Sequence, residues 1–220
     1  MISLTIPEKV TRIEYNFFHD CINLKSIKIL GDVIEIGSGV FYNCTSLSYV
    51  KIPENVSFIG SYAFSHCINL VSLIIPENVT IISNSICYNC SNLESVQLLG
   101  NVTIFNFLSF MFCSRLSSIN IPESVTNIEH MSFYGCSNLT SIKIPENVEL
   151  IGFKTFFECT NIITVILPSK LTKIDTEVFY ECTNLTSINL PKNLSVIDYS
   201  AFYRCLSLTS IDIPGNVTYI

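Results

Sequence analysis

Basic charge is scarce in this sequence: 12 lysines and arginines stand against 18 aspartates and glutamates, a net charge of −6 over 220 residues. Binding to a polyphosphate needs a clustered cationic face, so no footprint for nucleic acid is present. Charge of either sign is thin, at 14%, while 49% of residues are hydrophobic, which excludes a disordered acidic tail and implies a core-rich chain. Long apolar runs are missing too. Nothing approaches the roughly 18 consecutive apolar residues of a membrane span, and Met1-Ile2-Ser3-Leu4-Thr5-Ile6-Pro7-Glu8-Lys9 is neither a basic leader nor a long apolar stretch. The expectation is a soluble chain without membrane insertion and without an export signal.

What the sequence has instead is a period. Cys21, Cys44, Cys67, Cys90, Cys113, Cys136, Cys159, Cys182 and Cys205 are each 23 residues apart. Such self-similarity marks a repeat architecture. Pro7, Pro53, Pro76, Pro122, Pro145, Pro168, Pro191 and Pro214 keep the same interval, with Leu30 and Leu99 in the two missing slots, each followed by a turn-forming glycine, Gly31 or Gly100. A phenylalanine column runs from Phe18 to Phe202, and its single gap, position 87, holds the tenth cysteine. No insertion breaks the register, so residues 1–220 read as one continuous array of about 9.6 copies with no linker, starting and ending mid-repeat.

Each unit runs cysteine, two residues, Leu, two residues, Ile, one residue, Ile, Pro, as in Cys136 to Pro145. The Ser-Ile-Lys-Ile-Pro portion alternates outward polar with inward β-branched residues, the period-2 signature of a short strand, and proline ends it because it cannot donate to a ladder. A unit this short cannot bury its own apolar residues. Stacking identical turns buries them against the copies on either side, which predicts a repeat solenoid, mainly β, with a parallel strand per turn. Val79-Thr80-Ile81-Ile82 and its equivalents are expected to form a second extended wall. The stretch ending in Ala63-Phe64 or Ala201-Phe202 is expected to be a short helical or irregular turn that presses phenylalanine inward.

The pattern L-x-x-I-x-I-P-x-x-V-x-x-I-G-x-x-A-F-x-x-C, nearly complete from Leu47 to Cys67, resembles the 23-residue leucine-rich repeats of the BspA-like surface antigen family, also called Treponema-type leucine-rich repeats. The resemblance covers the whole chain in nine matching copies. It implies a non-enzymatic, adhesin-like protein at the cell surface or secreted, which recognises a host or matrix protein. Neither a signal peptide nor an anchor lies within these residues, and nine free thiols suit a reducing compartment. An intracellular, cytoplasmic leucine-rich repeat scaffold for protein–protein interaction therefore stands as the alternative. No polar caps cover Met1 to Val10 or Asn216 to Ile220, so end-to-end self-association is also expected.

Reaction chemistry finds no foothold. Stacked cysteines from parallel turns point the same way at nearly 5 Å, whereas a disulfide needs Cβ atoms about 3.8 Å apart and angled together, so the column reads as buried, reduced packing. Cys87-Tyr88-Asn89-Cys90 matches a CxxC motif but lacks a thioredoxin-like context. His19, His66 and His130 fall in three different slots with no HxxxH or HExxH spacing, which leaves no metal site, and no cofactor motif occurs. Glu54 and Glu77, or Glu123 and Glu146, follow proline on adjacent rungs, too few oxygens for calcium. Nine N-x-S/T sequons occupy only three columns, and their asparagines read as turn caps.

The remaining functional signal is a face. Outward positions of the first strand are the serine column, with Tyr49 as its exception, and the position two later, which holds Lys28, Lys51, Ile74, Gln97, Asn120, Lys143, Ile166 and Asn189. This last column varies while its neighbours hold. A parallel-stranded surface with different side chains at fixed spacing is the natural recognition surface of a solenoid. Lys28 and Lys51 beside Tyr49 form its most distinctive patch, two cations and an aromatic of the kind that anchor interfaces.

Overall fold

The computed structural model describes residues 2–220, and Met1, the first of the terminal residues expected to self-associate, lies outside the described residues. The described residues wind as a solenoid with eighteen short strands, two per turn, from Ile2–Ile6 to Val196–Ile197. All strand pairs are parallel. The first wall is built by the strands before proline. Ser72 pairs with Ser95, Leu73 with Val96, Ile74 with Gln97 and Ile75 with Leu98, a register of one repeat. Leu73 and Ile75 are buried while Ile74 is exposed, as strand alternation requires.

The second wall is present but minimal. Its strands are two residues long, such as Ile81–Ile82 and Asn127–Ile128, with the first side chain outward and the second buried. The valine of the Val-x-x-Ile motif lies outside these strands, and Val79, Val102, Val125 and Val148 are buried just before them. Such short strands persist by in-register pairing with their equivalents one repeat away, on both edges inside a ladder, as Ile104–Phe105 pairs with Ile81–Ile82 and Asn127–Ile128.

The third side resolves as turns, not helix. Two positions per turn have positive φ, four residues apart: Asn16 and Asp20, Tyr62 and His66, Leu108 and Phe112, and so on through Ser200 and Arg204. Only Gly39 and Gly135 relieve the strain with glycine. Left-handed backbone costs other residues roughly 1–2 kcal/mol each, so something must hold it. A third ladder does. Phe18 N–H donates to Val40 C=O at 2.9 Å, Phe41 N–H to Ala63 C=O at 2.8 Å, and Phe64 N–H to Ile86 C=O at 2.9 Å. The bends also drive the phenylalanine column into the core, where neighbouring rings stack at 5.4 to 5.7 Å.

A second aromatic stack runs along the same side nearer solvent: His19, Tyr42, His66, Tyr88, Phe112, Tyr134, Phe157, Tyr180 and Tyr203, each 4.4 to 6.0 Å from the next. Two of its rungs come from the neighbouring column. Where the repeat places Ser65 and Met111, the following residue, His66 or Phe112, supplies the ring.

Phe133 is fully buried and stacked on both faces, against Phe110 and Phe156. Its replacement by Ala is expected to cost about 3–5 kcal/mol through lost burial and the residual cavity. Denaturant titration of Phe133→Ala against the parent chain measures this, and a change below 1 kcal/mol would contradict a tightly stacked core.

Candidate functional site

Every residue of the variable column, Lys28, Lys51, Ile74, Gln97, Asn120, Lys143, Ile166 and Asn189, is exposed, as is Tyr49. The first wall positions them. Ser26 pairs with Tyr49 and Ile27 with Val50, which sets Lys28 beside Lys51 at a spacing of about 4.8 Å between strands. Further along, Lys143 is in register with Ile166. Lys143 is engaged already: its Nζ lies 3.1 Å from Glu123 Oε1, one turn back. Lys28 and Lys51 form no ion pair among the described residues.

Two hollows adjoin on this face. The larger, about 770 Å³, is lined by Lys28, Tyr49 and Lys51 together with Leu30, Gly31, Asp32 and Glu54. The smaller, about 480 Å³, shares Tyr49, Lys51, Glu54 and Asn55 and adds Ile74, Pro76, Glu77 and Leu99. It lies over a break in the first wall, where Tyr49–Val50 and Ser72–Ile75 belong to separate ladders. Gln97, Asn120, Lys143 and Ile166 line neither hollow, and Asn189 borders a third, of about 260 Å³, near the far end.

Leu30 and Leu99 are lining residues that sequence reasoning did not assign. Both stand in proline slots and are 44% and 51% exposed, so each puts an apolar side chain at the edge of a hollow. The broken proline column was the available signal.

Other candidate chemistry is absorbed by the framework. His130 Nδ1 accepts the Phe153 N–H at 2.8 Å and His66 meets the Asn89 amide, both one turn on, while His19 pairs with its neighbour Asp20, so each imidazole is engaged by the framework. No three His, Cys, Asp or Glu side chains gather as a metal-binding group among the described residues, and no helix is long and apolar enough to cross a membrane. Glu146 accepts both the N–H and the hydroxyl of Ser169, which hold its carboxyl below the ordinary range. Asn78, Asn193 and Asn216 donate to the carbonyls of Glu54, Ser169 and Lys192 on the preceding turn. Asn43 and Asn89 instead occupy positive-φ positions, which asparagine tolerates.

The cysteine column has a polar role that its spacing did not reveal. From Cys44 to Cys205 each repeat thiol donates to the backbone carbonyl of the phenylalanine-slot residue one turn back, at 3.0 to 3.2 Å: Cys44 to Phe18, Cys90 to Phe64, Cys113 to Cys87. All ten cysteines are free and all but Cys21 are buried. Burial, with a smaller contribution from neighbouring thiols, pushes Cys44 up to about 12 and raises Cys67, Cys87, Cys113 and Cys136 well above the ordinary thiol range. The thiolate, the reactive form, is therefore suppressed at these positions, Cys87 of the CxxC match among them.

Compared with known proteins, the chain matches a family model described as BspA type leucine rich repeat region, in six copies over residues 1–117 and 103–220. A leucine rich cell surface protein from Faecalibacterium prausnitzii A2-165 is 28% identical, with 98% of this chain aligned to 74% of that one and a TM-score of 0.54. The pneumococcal vaccine antigen PcpA shares the fold at 20% identity, over 99% of this chain and 67% of that one, with a TM-score of 0.63. A search of curated proteins gives no match.

The thiol column implies an alkaline limit. Unfolded thiols titrate near 9, whereas folded Cys44 holds its proton to about 12, so above pH 9 the unfolded state releases protons that the folded state keeps. Stability is fully present below pH 9 and falls as pH rises, by about 1.4 kcal/mol per unit for each such thiol. Denaturation midpoints from pH 8 to 11 test the sign; a flat profile would contradict the buried column.

Proposed function

This chain belongs to the BspA-type leucine-rich repeat family, and from that premise we propose that it is an adhesin-like surface antigen that recognises a host or matrix protein across its extended strand face. The leucine-rich solenoid is an architecture suited to protein binding and typical of non-catalytic scaffolds. One observation carries the choice of face: the column from Lys28 to Asn189 is exposed throughout, within or directly after the first-wall strands, whose inward positions are occupied by framework residues. Side chains at fixed spacing on a rigid wall are ordered before contact, which lowers the entropy lost on binding.

Display at the surface is supported by likeness to the Faecalibacterium protein, whose description places it at the cell surface. The free thiols, the feature that favours an intracellular scaffold, weigh less than their number suggests. Nine of the ten are buried, and burial raises the affinity of such thiols for their protons. Groups in that state persist in oxidising and reducing compartments alike.

Solid-phase binding to immobilised matrix proteins tests the reading, with Lys28, Tyr49 and Lys51 changed together to Ala. All three are exposed, so the fold is expected to survive, while binding weakens about tenfold or more. Unchanged binding by that variant and by an Ile74→Ala, Ile166→Ala variant would remove the strand face from the account. Protease treatment of intact cells that leaves the chain undigested would argue against surface display.

A further inference from the structure

The geometry points to a carboxylate-recognition pocket at the Leu30–Gly31 break, one that captures an acidic, extended segment of a partner protein; this rests on the strand-face reading above and names the chemistry of its ligand. Lys143 shows one way a lysine on this face is satisfied, by the glutamate 20 residues earlier in the turn after proline, Glu123. Twenty residues before Lys51 stands Gly31, which occupies that glutamate's slot. The lysine thus has no built-in partner. Glycine is required there by close packing: a Cβ at position 31 would lie 2.5 Å from the Val10 carbonyl oxygen and 2.8 Å from that of Glu8. The break therefore opens the larger hollow and leaves Lys51 without its acid.

Lys28 adds a second cation on the adjacent strand in the same hollow; Glu8 occupies its acid slot 20 residues earlier, but the two form no ion pair among the described residues. A carboxylate placed between two ammonium groups makes charge-assisted hydrogen bonds with both. Around the cations the walls turn apolar. Leu30 and Tyr49 border the first hollow, and Ile74 and Leu99 the second, each 44% to 52% exposed. Because the hollows join at Tyr49 and Lys51, they fit one acidic side chain followed along the chain by apolar ones.

Charge favours a protein segment over a sulfated polysaccharide. Asp32 and Glu54 line the same hollow as the two lysines, and no lysine or arginine occurs between positions 52 and 114 to continue a cationic track. A densely charged polyanion would meet carboxylates at both edges and a net charge of −6 on the chain. A single carboxylate meets the same acids, but it places only one negative charge there, between the two lysines, and its apolar neighbours carry none.

Selection of random displayed peptides on the whole chain tests this assignment, followed by titration of one synthetic selected peptide. The selected sequences are expected to carry Asp or Glu near apolar residues. Affinity is expected to fall about tenfold or more in a Lys28→Gln, Lys51→Gln variant, and equally when the peptide's acid becomes its amide, while Tyr199→Ser, at an exposed position off the strand face, leaves it unchanged. No enrichment, or selected peptides without an acid, would overturn the pocket. Peptides lost only on Ile166→Ser would overturn the pocket and leave the strand-face reading standing; peptides insensitive to that variant and to the lysine variant would remove both. Heparin binding at about 0.15 M salt that disappears in the double variant would reassign the lysines to a sulfated polysaccharide.

Discussion

Backbone groups on each turn must find their partners one repeat away, and this requirement governs the rest of the molecule. Three ladders satisfy it, on the two strand walls and along the phenylalanine bends. In-register stacking puts like beside like. A buried column that is apolar once must be apolar throughout, because each side chain's neighbours are its own equivalents. The same rule keeps the chain free of insertions, since one extra residue would break all three ladders and turn a strand's buried side chains outward.

Within that constraint the chain repairs local departures from its pattern. Where Ser65 and Met111 remove rings from the outer aromatic stack, His66 and Phe112 restore them from the adjacent position. Both replacements sit at positive φ, which turns the following residue toward the vacated place. Cys87 is a different case. It removes a ring from the inner column without substituting one, yet its carbonyl still accepts the thiol of Cys113. The backbone role of the phenylalanine slot thus persists when its side chain does not.

The proposed recognition rests on the contrast between uniform and variable columns. The uniform columns give a rigid wall; the variable one decorates it. Framework irregularity then gives the wall relief, because the turn at Gly31 lies close against the preceding coil and Leu30, in place of proline, stands outward. The two breaks in the proline column border the two hollows that contain Lys28, Tyr49, Lys51 and Ile74.

Much of this was legible in order along the chain. The interval between cysteines, the alternation before proline and the unbroken apolar columns determined a parallel solenoid and which residues its core contains, since a strict period admits only in-register stacking. The cysteine thiols were readable as buried but not as donors, because the carbonyl each one meets lies 26 residues back, across a turn. Only the folded structure decided that non-glycine residues hold the positive-φ bends, that two aromatic stacks flank one side, and that Lys143 has an acid beside it while Lys51 has a glycine. Those outcomes depend on offsets between neighbouring coils, set by how the turns pack, and residues that meet across coils are not neighbours in the sequence.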